Sequence, residues 1–103
     1  MQKKVLEFNE SMPCHKKPMP VSARVLDIQS EVGELAKEVL KNSKYGTAEF
    51  KKDENFEMEM GDILYSLLSL ANETKIDIEI ALEKVLDKYK KRIENKKDMG
   101  SGR

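Results

Sequence analysis

The sequence has one cysteine, one histidine and no tryptophan among its 103 residues. A single cysteine cannot form an intrachain disulfide, and the first ten residues lack the apolar core of a secretory signal. No apolar run approaches the roughly 20 residues that a membrane-spanning helix needs. We therefore expect a cytoplasmic protein with no membrane partner and no disulfide framework.

The sequence also lacks a net charge, because 19 Lys and Arg residues balance 19 Asp and Glu residues. A general nucleic-acid binder needs a basic excess, so this balance predicts no nucleic-acid partner. The charges are segregated, however. Residues 49–62 contain 6 acids against 2 lysines, whereas residues 84–97 contain 7 basic residues against 2 acids. An acidic middle and a basic end are therefore hidden by the overall neutrality.

Proline is confined to residues 13–20, where three prolines exclude a continuous helix. Residues 2–10 can form a short helix that buries Val5, Phe8 and Met12. Beyond the prolines, no segment alternates with a period of two, and three apolar stripes recur at helical spacing. The stripes are Val25, Ile28, Val32, Leu35 and Val39; then Phe56, Met60, Ile63, Leu67 and Leu70; then Ile78, Leu82, Val85, Leu86, Tyr89 and Ile93. The pattern predicts an all-α fold.

Capping residues predict the limits of these helices. Ser22 is the expected N-cap of the second helix, which should end near Ser43 because Gly46 suits the turn that follows. The third helix is expected over about residues 53–74, and Asp77 is the expected N-cap of the fourth.

The third helix carries more apolar surface than a three-helix bundle consumes, because Leu64, Leu68 and Ala71 widen its stripe. A helix of this kind is central in a bundle or buried against a second subunit. We therefore expect one all-α domain over residues 1–97, a bundle of three main helices plus a short N-terminal helix, that assembles into a homodimer or homotetramer. Residues 98–103 are expected to form a frayed tail.

The second and third helices share a pentapeptide pattern of acid, apolar residue, glycine, acid, apolar residue. It is EVGEL from residue 31 and EMGDI from residue 59. At about 100° per residue, the two acids of each motif lie within roughly 60° of one another, beside the apolar stripe. Antiparallel packing of the two helices would bring four carboxylates together: Glu31, Glu34, Glu59 and Asp62. Oxygen-only ligands suit Mg²⁺ or Mn²⁺, and the sequence has no His/Cys set for zinc.

Each motif also has a glycine, Gly33 or Gly61, at a helix-interior position where glycine costs about 1 kcal/mol relative to alanine. We expect a neighbouring element to approach the backbone closely at both. The competing interpretation of the acids is a solvated charged face, because acid pairs three residues apart are common on helices. If the acids form only a solvated face, the chain is a non-catalytic helical dimerisation or regulatory module.

The paired motifs resemble the ExxE…ExxD signature of the MazG-like all-α nucleoside triphosphate pyrophosphohydrolases, and the similarity extends over about residues 22–93. The resemblance implies hydrolysis of a (d)NTP to the (d)NMP and pyrophosphate, with removal of surplus or non-standard nucleotides as a role. It implies Mg²⁺, with Mn²⁺ as the alternative. The implied metal ligands are Glu31, Glu34, Glu59 and Asp62. Phosphoribosyl-ATP pyrophosphohydrolase is the second candidate within the same superfamily.

The resemblance suggests further site residues. Glu34 and Glu38 are both candidates for the general base. Lys88 and Arg92, one turn apart on the last helix, correspond to residues that contact phosphate or sugar in relatives, and a solvated basic face is the equal alternative. The candidates for contact with the nucleobase of the substrate are Phe8, His15 and Tyr45.

Overall fold

The structure, a computed structural model, describes residues 1–12 and 19–98, with side chains to residue 96, and folds them into four helices joined by non-helical connections. The four helices are α1 (Gln2–Ser11), α2 (Val21–Asn42), α3 (Glu54–Glu73) and α4 (Ile78–Asp98). The described residues contain no strand, which confirms the all-α prediction. Among them, no helix combines the length and the apolar character that a membrane crossing needs.

The start of α2 differs from the prediction. Pro20, with φ −55° and ψ 146°, precedes the first helical residue and provides no side-chain cap. Ser22 therefore lies inside the helix, and its predicted capping role is wrong; the φ that the proline ring fixes already directs the chain into the helix. The end of α2 is as predicted: the Ser43 hydroxyl donates to the Val39 carbonyl, and Gly46 takes a φ of 85° in the turn beyond.

Side-chain caps begin the two remaining helices. Asp53 Oδ1 accepts from the Phe56 amide at 2.9 Å at the start of α3. Asp77 Oδ1 accepts from the amides of the second and third residues of α4 at 3.0 and 3.2 Å, which confirms the predicted cap. Gln2 in α1 completes this end of α4, because its Oε1 accepts from the Ile78 amide at 3.0 Å. The far end of α4 reaches Asp98, one residue into the predicted tail, and residues 99–103 lie outside the described residues.

Antiparallel packing of α2 on α3 forms the centre of the fold. Arg24 in the first turn of α2 pairs with Glu73 at the end of α3, with Nη2 and Oε2 2.9 Å apart. Further along α2, Asp27 meets Ser66 of α3. Among residues 1–12 and 19–96, the buried apolar side chains are Leu68 and Ala71 of α3. The α2–α3 seam therefore combines a small apolar core with a row of paired polar side chains.

α1 packs on α3 through polar groups. Asn9 is its buried residue, donating from Nδ2 to Ser69 Oγ at 3.0 Å and accepting from the Tyr65 hydroxyl. Phe8 and Met12 are 53% and 39% exposed, so the prediction that they are buried is wrong. The segment is helical as predicted, but α1 turns towards α3 the face that carries Asn9, because the amide of Asn9 finds its hydrogen-bond partners there.

α4 diverges from the other helices. Between its first half, the second half of α3 and the start of α1 lies an open cavity of 1130 Å³. The apolar stripe of α4 is about half exposed: Leu82, Leu86, Tyr89 and Ile93. The predicted helices are thus present, but within a single chain α4 does not close the bundle along its length.

Candidate metal centre

Two helices bring three carboxylates together. One carboxylate oxygen from each of Glu31, Glu59 and Asp62 lies within 4.8 Å of the other two. Glu31 comes from α2, whereas Glu59 and Asp62 are three residues apart on α3 and therefore share a face. The antiparallel seam sets α2 against that face. Glu31 and Glu59 are half-buried, and Asp62 is exposed to solvent.

The acids of this cluster repel one another. The pKa of Glu31 is raised from its ordinary value of 4.5 by partial burial, and then by the negative charges of Asp62 and Asp27. The pKa of Glu59 is raised by partial burial, by Asp62 and, to a smaller extent, by Glu34 and Glu38. Burial and like charges both disfavour the ionised form. The cluster therefore holds negative charge that a cation would stabilise.

The donor set fits a hard divalent cation. All the ligand atoms are carboxylate oxygens, which Mg²⁺ and Mn²⁺ prefer. Their mutual separation of at most 4.8 Å is close to the spacing of oxygens around one small cation, roughly 3 to 4 Å. The residues that could hold the ion are Glu31, Glu59 and Asp62.

The other two predicted acids lie beside this cluster. Glu34 is outside the group of three, and its carboxylate is 3.6 Å from the Lys37 ammonium, one turn along α2. Its charge nevertheless acts on Glu59. Glu38 has a buried Oε1 with no hydrogen-bond partner, which is an unfavourable state for a carboxylate oxygen. Both side chains therefore border the metal centre from α2, and their chemical roles stay predictions.

The structure does not bring the predicted cations to the acids. On α4, Lys88 Nζ and Arg92 Cζ lie 5.4 and 5.8 Å from the centroid of the Tyr89 ring between them. In the part of the chain that the structure describes, no hydrogen bond or ion pair joins either cation to the acidic cluster. Their approach to the site therefore requires movement of α4, a bound nucleotide or a second chain.

The three residues predicted to contact the nucleobase lie in different parts of the chain. Phe8 makes an edge-to-face contact with Tyr65, with centroids 6.1 Å apart, on the α1–α3 surface. Tyr45 is 80% exposed in the turn after α2. His15 lies outside the described residues. None of these observations assigns a base-binding residue.

The prediction about the two motif glycines is wrong for the single chain. A Cβ added at Gly33 or at Gly61 would meet no atom of another described element within 4 Å. Both positions are exposed, because the face of each helix that carries its glycine is turned away from the α2–α3 seam.

Polar residues one turn from the acids were missed by the sequence analysis. Asp27 Oδ2 accepts from the hydroxyl of buried Ser66 at 3.0 Å. Asp27 lies four residues before Glu31, so its place on the acidic stripe of α2 was a signal available in the sequence. The buried partner Ser66 gave no such signal, because an isolated serine on an apolar stripe is common.

Residues 22–96 match the MazG nucleotide pyrophosphohydrolase domain family. The chain is similar to YpjD of Bacillus subtilis (strain 168), described as an uncharacterized protein, with 38% identity over 78 residues. That match covers 73% of this chain and 66% of YpjD, slightly less than two thirds. A crystal structure of Bacillus subtilis YpjD, described as that of a candidate pyrophosphatase, matches with a TM-score of 0.69 and 33% identity over 85% of this chain and 86% of that one.

The family match contains both pentapeptides, the three clustered carboxylates and nearly all of α4. It extends over well more than half of the 103 residues. The chain belongs to the MazG nucleotide pyrophosphohydrolase domain family.

Proposed function

We propose that the protein is a divalent-metal-dependent nucleotide pyrophosphohydrolase that converts a (d)NTP to the (d)NMP and pyrophosphate. Removal of surplus or non-standard nucleotides is its proposed role. The observation that carries the proposal is the convergence of Glu31, Glu59 and Asp62 from two helices of a MazG-family domain. On a merely solvated acidic face, the carboxylates would be exposed and far from one another. Glu31 and Glu59 are instead half-buried, and their pKa values are raised.

The three clustered carboxylates would hold Mg²⁺ or Mn²⁺, with Glu34 as the proposed fourth ligand. When bound there, the ion would neutralise charge on the triphosphate and would make the α-phosphorus more electrophilic. In the reaction, water adds to the α-phosphorus, the bond from that phosphorus to the bridging oxygen breaks, and pyrophosphate leaves. The proton released by the water must reach a base.

Glu38 and Glu34 are the two candidates for this base. Within the described part of the chain, the Glu38 Oε1 atom is buried and has no hydrogen-bond partner. A change of its rotamer towards the cluster would let this oxygen accept a hydrogen bond, and then a proton, from a water there. Glu34 is more exposed and has Lys37 as a competing partner. These surroundings support Glu38 as base and Glu34 as ligand.

Lys88 and Arg92 are proposed to bind the phosphates, because two cations one helical turn apart can contact a chain of phosphate oxygens. Both cations lie beside the Tyr89 ring, at 5.4 and 5.8 Å from its centroid. Neither cation has an acidic partner among the described residues, so both charges are available to an anionic ligand.

We further propose a homodimer or homotetramer. The chain exposes 8535 Å², whereas a compact monomer of 11.8 kDa exposes about 5,900 Å². The excess exceeds what a standard interface needs from one partner, about 800 Å². A second copy is the proposed occupant, because it would cover the half-exposed apolar stripe of α4 and could bring a basic α4 near an acidic cluster.

The test is pyrophosphate release from a panel of ribo- and deoxyribonucleoside triphosphates, and from phosphoribosyl-ATP, with Mg²⁺ or Mn²⁺. We expect turnover of at least one nucleoside triphosphate, and its loss in Asp62→Asn and Glu34→Gln. Glu57→Gln is the matched control, because Glu57 is an exposed acid of α3 outside the cluster. Equal rates in Asp62→Asn and Glu57→Gln would contradict the proposal.

A further inference from the structure

One hydrogen bond between α2 and α3 lies a single helical turn from the metal centre. The hydroxyl of Ser66 donates to Asp27 Oδ2 at 3.0 Å. Ser66 is 3% exposed, and Asp27 is half-buried. Asp27 precedes Glu31 by four residues, and Ser66 follows Asp62 by four. In an antiparallel helix pair, these two pairs therefore form adjacent layers.

The rest of the seam determines the register of the two helices only loosely. Apolar side chains of α2 such as Val25 and Val32 are about half exposed, and apolar contacts are not directional. The Arg24–Glu73 ion pair joins two long side chains, which can follow a shift of the helices. A hydrogen bond between two short side chains is directional and tolerates little displacement.

We propose that Asp27 and Ser66 are positioning residues that hold Glu31 opposite Asp62 and so preform the metal centre. The proposal rests on the proposed function, because it assumes that the three carboxylates bind a divalent ion. A slide of α2 along α3 by one residue is about 1.5 Å, which is most of a metal–oxygen bond length. The Asp27–Ser66 bond prevents that slide in the layer next to the ligands.

The chain provides a matched control for this bond. Ser69 is also a buried serine of α3, and it is bonded at 3.0 Å to a side chain of a neighbouring helix. Its partner is Asn9 of α1, so its hydroxyl joins α1 to α3 and leaves the α2–α3 register alone. Ser66→Ala and Ser69→Ala therefore remove the same atom and one interhelical hydrogen bond each, donated to a carboxylate by Ser66 and accepted from an amide by Ser69. Only the bond of Ser66 involves α2.

The experiment measures the Mn²⁺ dissociation constant of the metal-free full chain by calorimetry. We expect Ser66→Ala to raise it about tenfold, the size of effect seen when groups that orient metal ligands are removed. Ser69→Ala should stay within about twofold of the wild type, and Ser66→Thr, which keeps the hydroxyl, should restore most of the affinity. A merely structural bond would lower the melting temperature in both alanine variants without changing Mn²⁺ affinity selectively.

A second pair of variants applies if Ser66→Ala does not fold. Asp27→Asn keeps an oxygen acceptor and removes the charge, whereas Asp27→Ala removes both, so weaker Mn²⁺ binding by Asp27→Ala than by Asp27→Asn supports the positioning role. The positioning role is overturned if Ser66→Ala binds Mn²⁺ as tightly as Ser69→Ala, and Asp27→Ala as tightly as Asp27→Asn. That result leaves the proposed function intact. Absence of Mn²⁺ binding by the wild type overturns the metal centre itself, and the positioning role with it.

Discussion

At the scale of the residue, repulsion within the acidic cluster destabilises the metal-free fold. Glu31 and Glu59 are half-buried next to other carboxylates, and the pKa of each is raised. A carboxyl group with a raised folded-state pKa binds its proton more tightly in the folded protein than in the unfolded one. Its ionisation therefore destabilises the metal-free fold as the pH rises through the folded-state pKa.

The first prediction concerns pH and Glu31. Without metal at about pH 8, Glu31→Gln should melt at a higher temperature than the wild type, because it removes a repelled charge. The difference should shrink as the pH falls into the acidic range, because the raised pKa of Glu31 makes it take up its proton before an ordinary glutamate does. Thermal unfolding followed by circular dichroism measures both values.

Metal should invert this order. Mg²⁺ should raise the melting temperature of the wild type by binding the folded state, and should have much less effect on Glu31→Gln. A wild type that is the more stable of the two at every pH without metal would show that the cluster is not under repulsion. Asp53 does not affect the comparison of the wild type with Glu31→Gln. The hydrogen bond from the Phe56 amide lowers the pKa of Asp53, so its contribution to stability is lost only at more acidic pH.

At the scale of the element, α4 depends on the residues that start it. The amides of its first three residues are bonded by Gln2 and Asp77, two side chains outside the helix. Gln2 Nε2 also donates to the Ile76 carbonyl, so α1 holds the α3–α4 connection. The direction in which Lys88 and Arg92 are presented is therefore determined at the beginning of α4, about three turns away.

The second prediction is that Asp77→Ala lowers the free energy of unfolding by about 1 kcal/mol, the usual cost of losing an N-cap. Hydrogen exchange at the first turn of α4 should become faster, while exchange in α2 should not change. Asp77→Ser, which keeps an oxygen at the cap position, is the control. Unchanged exchange in Asp77→Ala would mean that Gln2 alone starts the helix.

At the scale of the whole molecule, the chain is extended. Its radius of gyration is 18.0 Å, whereas a compact chain of 103 residues has about 13 Å. α4 contributes to this extension, because it diverges from α3 across the 1130 Å³ cavity and leaves its apolar stripe half exposed. Such a surface on a charged, otherwise polar helix is typical of an interface.

The third prediction is a particle of at least twice 11.8 kDa in light scattering at micromolar concentration. Leu86→Glu should shift it towards the monomer without unfolding α2 and α3, because Leu86 is 56% exposed within its own chain. Glu83→Gln, an exposed polar position of α4, is the control. A strictly monomeric wild type would contradict the proposed assembly.

Much of the fold followed from local patterns. Apolar spacing predicted all four helices, and the end of α2 and the Asp77 cap were placed correctly because those signals depend on neighbouring residues only. The choice of the inward face of α1 failed at Asn9, since a buried asparagine depends on distant partners, Ser69 and Tyr65.

The same division applies to the site. Spacing within each pentapeptide predicted which acids share a helix face, and three of the four predicted ligands do converge. Glu34 lies outside the group, and Lys88 and Arg92 remain apart from it, because these outcomes depend on the register of α2 on α3 and on the direction of α4.

The sequence by itself determined the helical class, the helix periods and the identity of the acidic stripes, since all three arise from interactions within about one turn of helix. Only the tertiary structure decided which acids meet, that Asp27 and Ser66 join the two helices beside them, and that α4 leaves its apolar side uncovered. These features depend on how helices pack through residues 28 or more positions apart, and no local pattern encodes the geometry of such packing.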